Sequence, residues 1–199
     1  QYTPEYLSGV MSLRTPQTKS LDILDDIANQ IKLIKRNTDL LTSLTDIKTK
    51  YPTCNDFEKE FISLTFALAT GVGKTRLMGA FISYLYTQHG IKNFFVVAPS
   101  STIYEKLKKD LGDPSHSKYV FKGLGCFINP PKIITGEDYR NRNLSLFESD
   151  INIFIYNIDK FNKENVKMKS FNEYLGQSFY NELSNLSDLV MIMDESHHY

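Results

Sequence analysis

The stretch Ile62-Ser-Leu-Thr-Phe-Ala-Leu-Ala-Thr-Gly-Val-Gly-Lys-Thr75 decides how this chain folds. Residues 62–69 are mostly apolar, which predicts a buried strand, and the helical pattern of residues 74–89 begins directly after a glycine-containing turn. Gly71 and Gly73 let the backbone take tight or left-handed conformations, so that successive N–H groups converge on an anion. The helix N-terminus adds its aligned dipoles. The stretch therefore predicts a phosphate-binding loop between a strand and a helix.

Two side chains that follow the glycines carry the chemistry of this loop. Lys74 is placed to reach the outer phosphates as a point charge, and Thr75 offers a hydroxyl suited to Mg²⁺. The backbone of Thr70 and Val72 completes the loop. Leu68 stands where the full phosphate-loop motif has its first glycine, so the motif is not matched strictly. A chance Gly-x-Gly-Lys-Thr turn with no ligand is the alternative interpretation.

A second apolar run ends in a charged cluster near residue 195. The predicted strand of residues 189–193 delivers Asp194 and Glu195 at its carboxyl end, where open α/β sheets bind their ligands. We expect Asp194 to fix Mg²⁺, usually through water, and Glu195 to orient or deprotonate an attacking water. An acidic strand exit capped by water is the alternative. His197 is interpreted as a coupling residue beside the γ-phosphate, and His198 has no assigned role, because a bare His-His pair lacks a third zinc ligand.

From residue 60 onward, short apolar runs alternate with helical stretches, which is typical of βαβ units around a parallel sheet. The predicted strands are residues 62–69, 93–98, 119–122, 132–135, 151–157 and 189–193, and the predicted helices are 74–89, 102–111 and 171–186. Residues 21–47 show the three-and-four spacing of one or two amphipathic helices. We expect a helical extension over residues 1–60, followed by an α/β domain over 61–199 with a mostly parallel sheet and helices on both faces.

Composition excludes several classes of protein. The 199 residues carry 23 basic and 23 acidic side chains and are 41% hydrophobic, which excludes a disordered polyelectrolyte and a basic arm that coats nucleic acid. An excess of basic residues over 101–142 permits a phosphate-facing patch, with an ordinary solvated face as the alternative. Cys54 and Cys126 lie too far apart for a Cys-rich zinc site and are compatible with a reducing cytosol. No apolar run approaches the ~18 residues of a membrane span, so we expect a cytoplasmic protein without membrane contact.

Together, the two charged motifs resemble those of a known group of motor proteins. Ala69-Thr-Gly-Val-Gly-Lys-Thr75 and Asp194-Glu-Ser-His197 are similar to motifs I and II of superfamily 2 helicases and translocases, in the Asp-Glu-x-His branch. Within that group the chain most resembles the restriction subunit of type III restriction enzymes. The softer stretches that carry this second resemblance are residues 13–17, 94–107, 118–123 and 152–161. The resemblance implies the first RecA-like P-loop NTPase domain of such a motor, with ATP and Mg²⁺ as cofactors.

The resemblance also implies two elements outside the phosphate loop. Arg14 and Gln17 fall where such proteins place a short adenine-reading element, and an ordinary polar turn before a helix is the alternative. A segment at a strand end matches motif Ia, whose hydroxyls and helix N-terminus would grip a nucleic-acid phosphate without reading bases. A simple helix N-cap is the alternative here. The residues of this segment are Pro99, Ser100, Ser101 and Thr102.

For the whole protein, the resemblance implies an ATPase that moves or signals along double-stranded DNA as part of a restriction endonuclease. Its expected partner is a DNA-methylating modification subunit, to which S-adenosylmethionine chemistry would belong. Without the arginine finger of a second RecA-like lobe, worth ~10³-fold or more in rate, we expect weak nucleotide binding and very slow hydrolysis. Two other hypotheses stay open: a P-loop phosphotransferase of the nucleotide-kinase type, and a non-catalytic DNA-docking or assembly module with a scaffold P-loop.

Overall fold

A five-stranded parallel sheet runs through the part of the chain that the structure describes. This computed structural model describes residues 1–30, 62–66, 73–98, 100–135, 151–157 and 189–194. The strands are β1 (Ile62–Phe66), β2 (Asn93–Ala98), β3 (Lys132–Ile134), β4 (Asn152–Asn157) and β5 (Leu189–Asp194). Their order across the sheet is β1-β5-β2-β4-β3, and every neighbouring pair is parallel. The predicted α/β class with a parallel sheet is confirmed.

Four α-helices accompany the sheet within the described residues: α1 (Pro4–Val10), α2 (Thr15–Gln30), α3 (Lys74–His89) and α4 (Ser101–Gly112). A short 3-10 helix spans Gly125–Phe127. The sequence predicts α3 with the bounds observed and α4 to within one residue at each end. Helix α3 ends because Gly90 adopts a left-handed conformation, with φ of 68°, and its N–H closes back on the last turn. Helix α1 was not predicted, although Thr3 caps it through Tyr6 N and proline occupies its first turn.

Strands β2 and β4 are buried along their whole length. Alternate side chains of a strand point to opposite faces of the sheet. Phe94 and Val96 of β2 belong to the main hydrophobic core, whereas Phe95 stacks on Tyr156 of β4 with ring centroids 5.5 Å apart. Both faces of these strands are therefore withdrawn from water, which explains their continuous apolar sequences.

The N-terminal helices α1 and α2 pack against α3. Leu7 and Leu21 are fully buried there and belong to the same core as the sheet. Tyr84 of α3 donates a hydrogen bond to Asp25 Oδ1 at 2.5 Å, and His89 Nε2 lies 3.0 Å from the same hydroxyl. Burial, followed by the Asp25 carboxylate, raises the pKa of Tyr84 above its usual range, and burial lowers the pKa of His89. A polar cluster thus fastens α2 to the end of α3.

One predicted strand is wrong. Residues 119–122 form turns rather than a strand. Tyr119 and Phe121 are buried in alternation with more exposed neighbours, which imitates a strand in sequence, but Phe121 stacks on Phe127 with centroids 4.2 Å apart. Val120 N bonds to Asp110 O of α4 at 2.9 Å, and Gly123 turns the chain with φ of 79°. Tertiary contacts with α4 therefore replace ladder pairing here. The helices predicted beyond residue 30 and over 171–186 lie outside the described residues.

None of the helices in the described ranges is long and apolar enough to cross a membrane.

Helix α3 packs closely against Val120 at Gly79, and this packing can be tested by substitution. A Cβ at Gly79 would lie 2.7 Å from Val120 Cγ2, whereas a Cβ at Gly9 of α1 would meet nothing within 4 Å. We expect Gly79→Ala to lower the free energy of unfolding by about 1–3 kcal/mol because the neighbouring side chain must shift. The control Gly9→Ala should keep it or raise it by up to about 1 kcal/mol. Urea unfolding followed by circular dichroism measures both, and equal values would contradict the packing.

Candidate nucleotide site

The strands that lead to the two charged motifs end at one edge of the sheet. Strand β1 pairs with β5 in parallel, with Phe66 opposite Asp194. Both strands reach their carboxyl ends at this pair, and neighbouring strands lie about 4.8 Å apart. The strand that precedes the predicted phosphate loop and the strand that delivers Asp194 therefore end side by side. Of Asp194 the structure describes the backbone position at the end of β5.

Gly73 is the last residue before α3 and takes a left-handed conformation with φ of 73° and ψ of 53°. A Cβ at this position would lie 2.5 Å from the side-chain nitrogen of Gln17. Both the backbone conformation and the close approach require glycine. The Gly73 carbonyl accepts from Leu77 N at 3.1 Å and so begins the helix. No side chain caps the start of this helix.

Gln17 joins the N-terminal helices to the phosphate loop. Its Nε2 donates to Gly73 O at 2.8 Å, and its Oε1 accepts from Arg14 N at 2.7 Å. The side chain is 2% exposed, although it lies in the first turn of α2. Arg76 makes a second connection, because its Nη1 donates to Met11 O at 2.7 Å. The segment that was predicted to read adenine therefore contacts Gly73 directly, through a buried amide.

Lys74 and Thr75 open α3, and both are half-buried. Thr75 Oγ1 accepts a hydrogen bond from Lys106 Nζ of α4 at 3.0 Å. Lys106 was not among the predicted site residues. Its position in a basic stretch was visible in the sequence, but its contact with a residue 31 positions away depends on how α4 packs beside α3.

The Lys106 ammonium is held on its other side by a buried carboxylate. Asp110, one turn further along α4, has a side chain that is 3% exposed, and its Oδ2 lies 2.9 Å from Lys106 Nζ. His116 Nε2 lies 3.0 Å from the other carboxylate oxygen. The arrangement forms a chain of polar groups that runs from the Thr75 hydroxyl to the loop after α4.

The segment that matches motif Ia begins α4. Ser100 caps this helix, because its hydroxyl accepts from Ile103 N at 3.3 Å, as the N-cap interpretation expects. Ser101 Oγ accepts from the side-chain amide of Asn157, at the end of β4, at 3.0 Å. Ser101 and Thr102 are exposed. The helix N-terminus therefore lies at the carboxyl end of the sheet, and its contact with nucleic acid stays a prediction.

Several predicted site residues lie outside the described part of the chain: Thr70, Gly71, Val72, Pro99, Glu195 and His197. Within the described ranges, no group of three or more His, Cys, Asp or Glu side chains is arranged to hold a metal ion. The described part of the site thus consists of Gly73 and the first turn of α3, the Gln17 side chain bonded to Gly73, the Lys106–Asp110 pair, and the end of β5.

Comparison with known proteins identifies a family. The family model described as "Type III restriction enzyme, res subunit" matches residues 11–199. A protein of Haemophilus influenzae described as "Probable type III restriction-modification enzyme HindVIP Res subunit" is 29% identical over 170 residues. That alignment covers 83% of this chain and 28% of the relative, so the chain spans about a quarter of the relative's length. No solved structure matches the chain.

The buried amide of Gln17 yields a stability prediction. Gln17→Leu leaves the Gly73 carbonyl and the Arg14 N–H without this partner, so the free energy of unfolding should fall by about 1–3 kcal/mol. Gln17→Glu keeps the acceptor for Arg14 but places a carboxylate against the Gly73 carbonyl, and burial raises the pKa of such a carboxyl. A protonated carboxyl can donate to that carbonyl. The Glu variant should therefore be less stable than wild type at neutral pH. Its stability should approach that of wild type below about pH 4.3, where the carboxyl is protonated in both the folded and the unfolded state.

Urea unfolding at neutral and acidic pH, with wild type measured under the same conditions, separates these expectations. A Glu variant whose deficit relative to wild type is the same at both pH values would contradict the donor role of Gln17 toward Gly73.

Proposed function

Because the chain belongs to the type III restriction enzyme res-subunit family, we propose that it is the first, ATP-binding and ATP-hydrolysing RecA-like domain of a superfamily 2 motor that acts on double-stranded DNA. The observation that carries the proposal is the parallel pairing of β1 with β5, with Phe66 opposite Asp194. A nucleotide between the phosphate loop and the acidic cluster needs both segments to leave the sheet at one edge. The pairing supplies that edge.

The start of α3 supports a phosphate at this edge. Gly73 has a left-handed conformation, which allows backbone N–H groups to approach an anion, and the uncapped helix N-terminus favours negative charge. Lys74 lies in the first turn, where its ammonium can reach phosphate oxygens that approach the loop. Thr70, Gly71 and Val72 complete the proposed cradle. In this proposal, the backbone binds the phosphates and Lys74 neutralises their charge.

The residues at the edge also fit Mg²⁺. This ion takes oxygen ligands and keeps several waters, and it is usually bound by one or two protein groups together with phosphates. Thr75 supplies a hydroxyl at the start of α3, and β5 ends in a carboxylate residue, Asp194. When bound, magnesium would neutralise charge that develops on the phosphates. Glu195 follows Asp194 and would orient or deprotonate the attacking water, with His197 coupling the site to its surroundings.

The adenine end of the nucleotide belongs, in this proposal, to the N-terminal segment. Gln17 is hydrogen-bonded to Gly73 at the start of α3. A base bound next to Gln17 would therefore be connected to the phosphate loop through this hydrogen bond. Buried contact with the loop thus supports the assignment of Arg14 and Gln17 to a nucleotide-reading element.

Double-stranded DNA is proposed to contact the start of α4. The N-terminus of that helix lies at the carboxyl ends of β2 and β4, where Asn157 of β4 bonds to Ser101. Ser101 and Thr102 are exposed and offer hydroxyls beside helix N–H groups, which is suited to a phosphate and carries no sequence information. The family further suggests a DNA-methylating modification subunit as partner, with the motor feeding a restriction activity.

Nucleotide binding tests the proposal. Lys74→Ala should weaken ADP binding in magnesium by about 10- to 100-fold, since a charge-assisted contact to phosphate is lost. Lys19→Ala, which removes the same charge from an exposed position of α2, should leave binding unchanged. Isothermal titration calorimetry measures the dissociation constants, and urea unfolding checks that each variant is folded. Equal affinities for wild type and Lys74→Ala would favour a scaffold loop instead.

Hydrolysis in the full-length gene product tests the acidic cluster. Glu195→Gln should retain magnesium-dependent ADP binding but lose DNA-stimulated phosphate release by at least about 100-fold, because general-base catalysis contributes about 10²–10⁴-fold. A phosphotransferase would instead show no stimulation by DNA and would require a second substrate.

A further inference from the structure

The Lys106 ammonium is a positive charge bonded to the hydroxyl of Thr75, the proposed magnesium ligand. The ammonium donates to Thr75 Oγ1 at 3.0 Å and lies 2.9 Å from Asp110 Oδ2. A hydroxyl oxygen and a carboxylate oxygen are ligand types that also suit Mg²⁺. The contact joins two helices, α3 and α4, at the edge of the sheet where the nucleotide is proposed to bind.

The ammonium does not depend on Thr75 alone. The Asp110 side chain is 3% exposed and therefore needs a nearby cation, whereas the Lys106 side chain is 44% exposed and has room to move. His116 Nε2 lies 3.0 Å from the other oxygen of Asp110. Lys106 can thus leave Thr75 and stay with Asp110, at the cost of a single hydrogen bond.

We propose that Lys106 is a further residue of the nucleotide site, whose ammonium holds the Thr75 hydroxyl in the nucleotide-free protein and yields it to Mg²⁺ when magnesium nucleotide binds. The inference rests on the proposed function. Two positive charges that share one oxygen repel each other strongly in a site partly withdrawn from water. Magnesium binding therefore displaces the ammonium toward Asp110, and Lys106 lowers the advantage that magnesium gives to nucleotide binding.

The measurable quantity is the ratio of the ADP dissociation constant in EDTA to that in magnesium. Lys106→Gln removes the charge and keeps an amide that can donate to Asp110. The ratio should rise about 3- to 10-fold in this variant. A larger rise is not expected, because solvent around the partly exposed Lys106 screens the charge repulsion. Isothermal titration calorimetry with ADP gives both constants for the same chain.

Lys108→Gln is the matched control. Lys108 lies on the same helix and carries the same charge, but it pairs with Glu105 at 3.0 Å and lies 4.7 Å from the centre of the Tyr104 ring. Its substitution should leave the ratio within about 1.5-fold of wild type, because this charge is directed to its own helix surface. Lys106→Met, which removes the donor as well, provides a second variant.

The outcomes separate this inference from the proposed function. A ratio that is unchanged in both Lys106 variants, while wild type still binds ADP through Lys74, overturns the inference alone. A loss of affinity of equal size with and without magnesium also overturns it and makes Lys106 an ordinary phosphate contact. Failure of wild type to bind ADP overturns the proposed function together with the inference.

A nucleotide-free measurement tests the contact directly. The unfolding equilibrium constants of Thr75→Val, Lys106→Gln and the double variant are measured in EDTA. The effect of the double variant on the equilibrium constant should differ from the product of the two single effects by at least about twofold, as expected for residues in contact. Strictly additive effects would show that Lys106 does not hold the Thr75 hydroxyl, and would overturn the inference without involving any ligand.

Discussion

Parallel pairing of β1 with β5 is the constraint on which the rest of the site depends. Two segments more than a hundred residues apart in sequence, one after Phe66 and one at Asp194, leave the sheet at the same level because parallel strands end at the same edge. Pairing in the opposite direction would send them to opposite edges. The charged residues can be brought close to one ligand only because the ladder fixes direction before any side chain is placed.

The N-terminal helices share in this arrangement. Three contacts reach from them to α3: Gln17 to Gly73, Arg76 to Met11 O, and Tyr84 to Asp25. They are spread from the residue before α3 to the C-terminal half of that helix, and buried leucines lie among them. Each contact is of modest net value in water, but a buried partner left unsatisfied is costly. The N-terminal helices thus support the start of α3, and they share their hydrophobic core with the sheet.

Sequence was sufficient where the signal is local. A continuous apolar run predicts β2 with the bounds observed, and glycines before and after α3 mark both its ends. It failed where tertiary contacts decide: residues 119–122 have the alternation of a strand, but ring stacking and a bond to α4 turn them. The site shows the same division. Gly73, Lys74 and Thr75 follow from a motif, whereas Lys106 reaches Thr75 across 31 residues through helix packing that no local pattern encodes.

The position of Lys106 on α4 bears on how a nucleotide would be felt elsewhere in the molecule. Helix α4 packs on β2, β3 and β4, and its end is tied to the following segment by the bond from Val120 N to Asp110 O. Moving such a helix would break many buried contacts, whereas rotating one lysine side chain about its carboxylate breaks a single hydrogen bond. In the proposed exchange, a change of cation at Thr75 would therefore be accommodated first by the Lys106 side chain. The start of the same helix, at Ser100 and Ser101, can keep its hold on β4 while that exchange takes place.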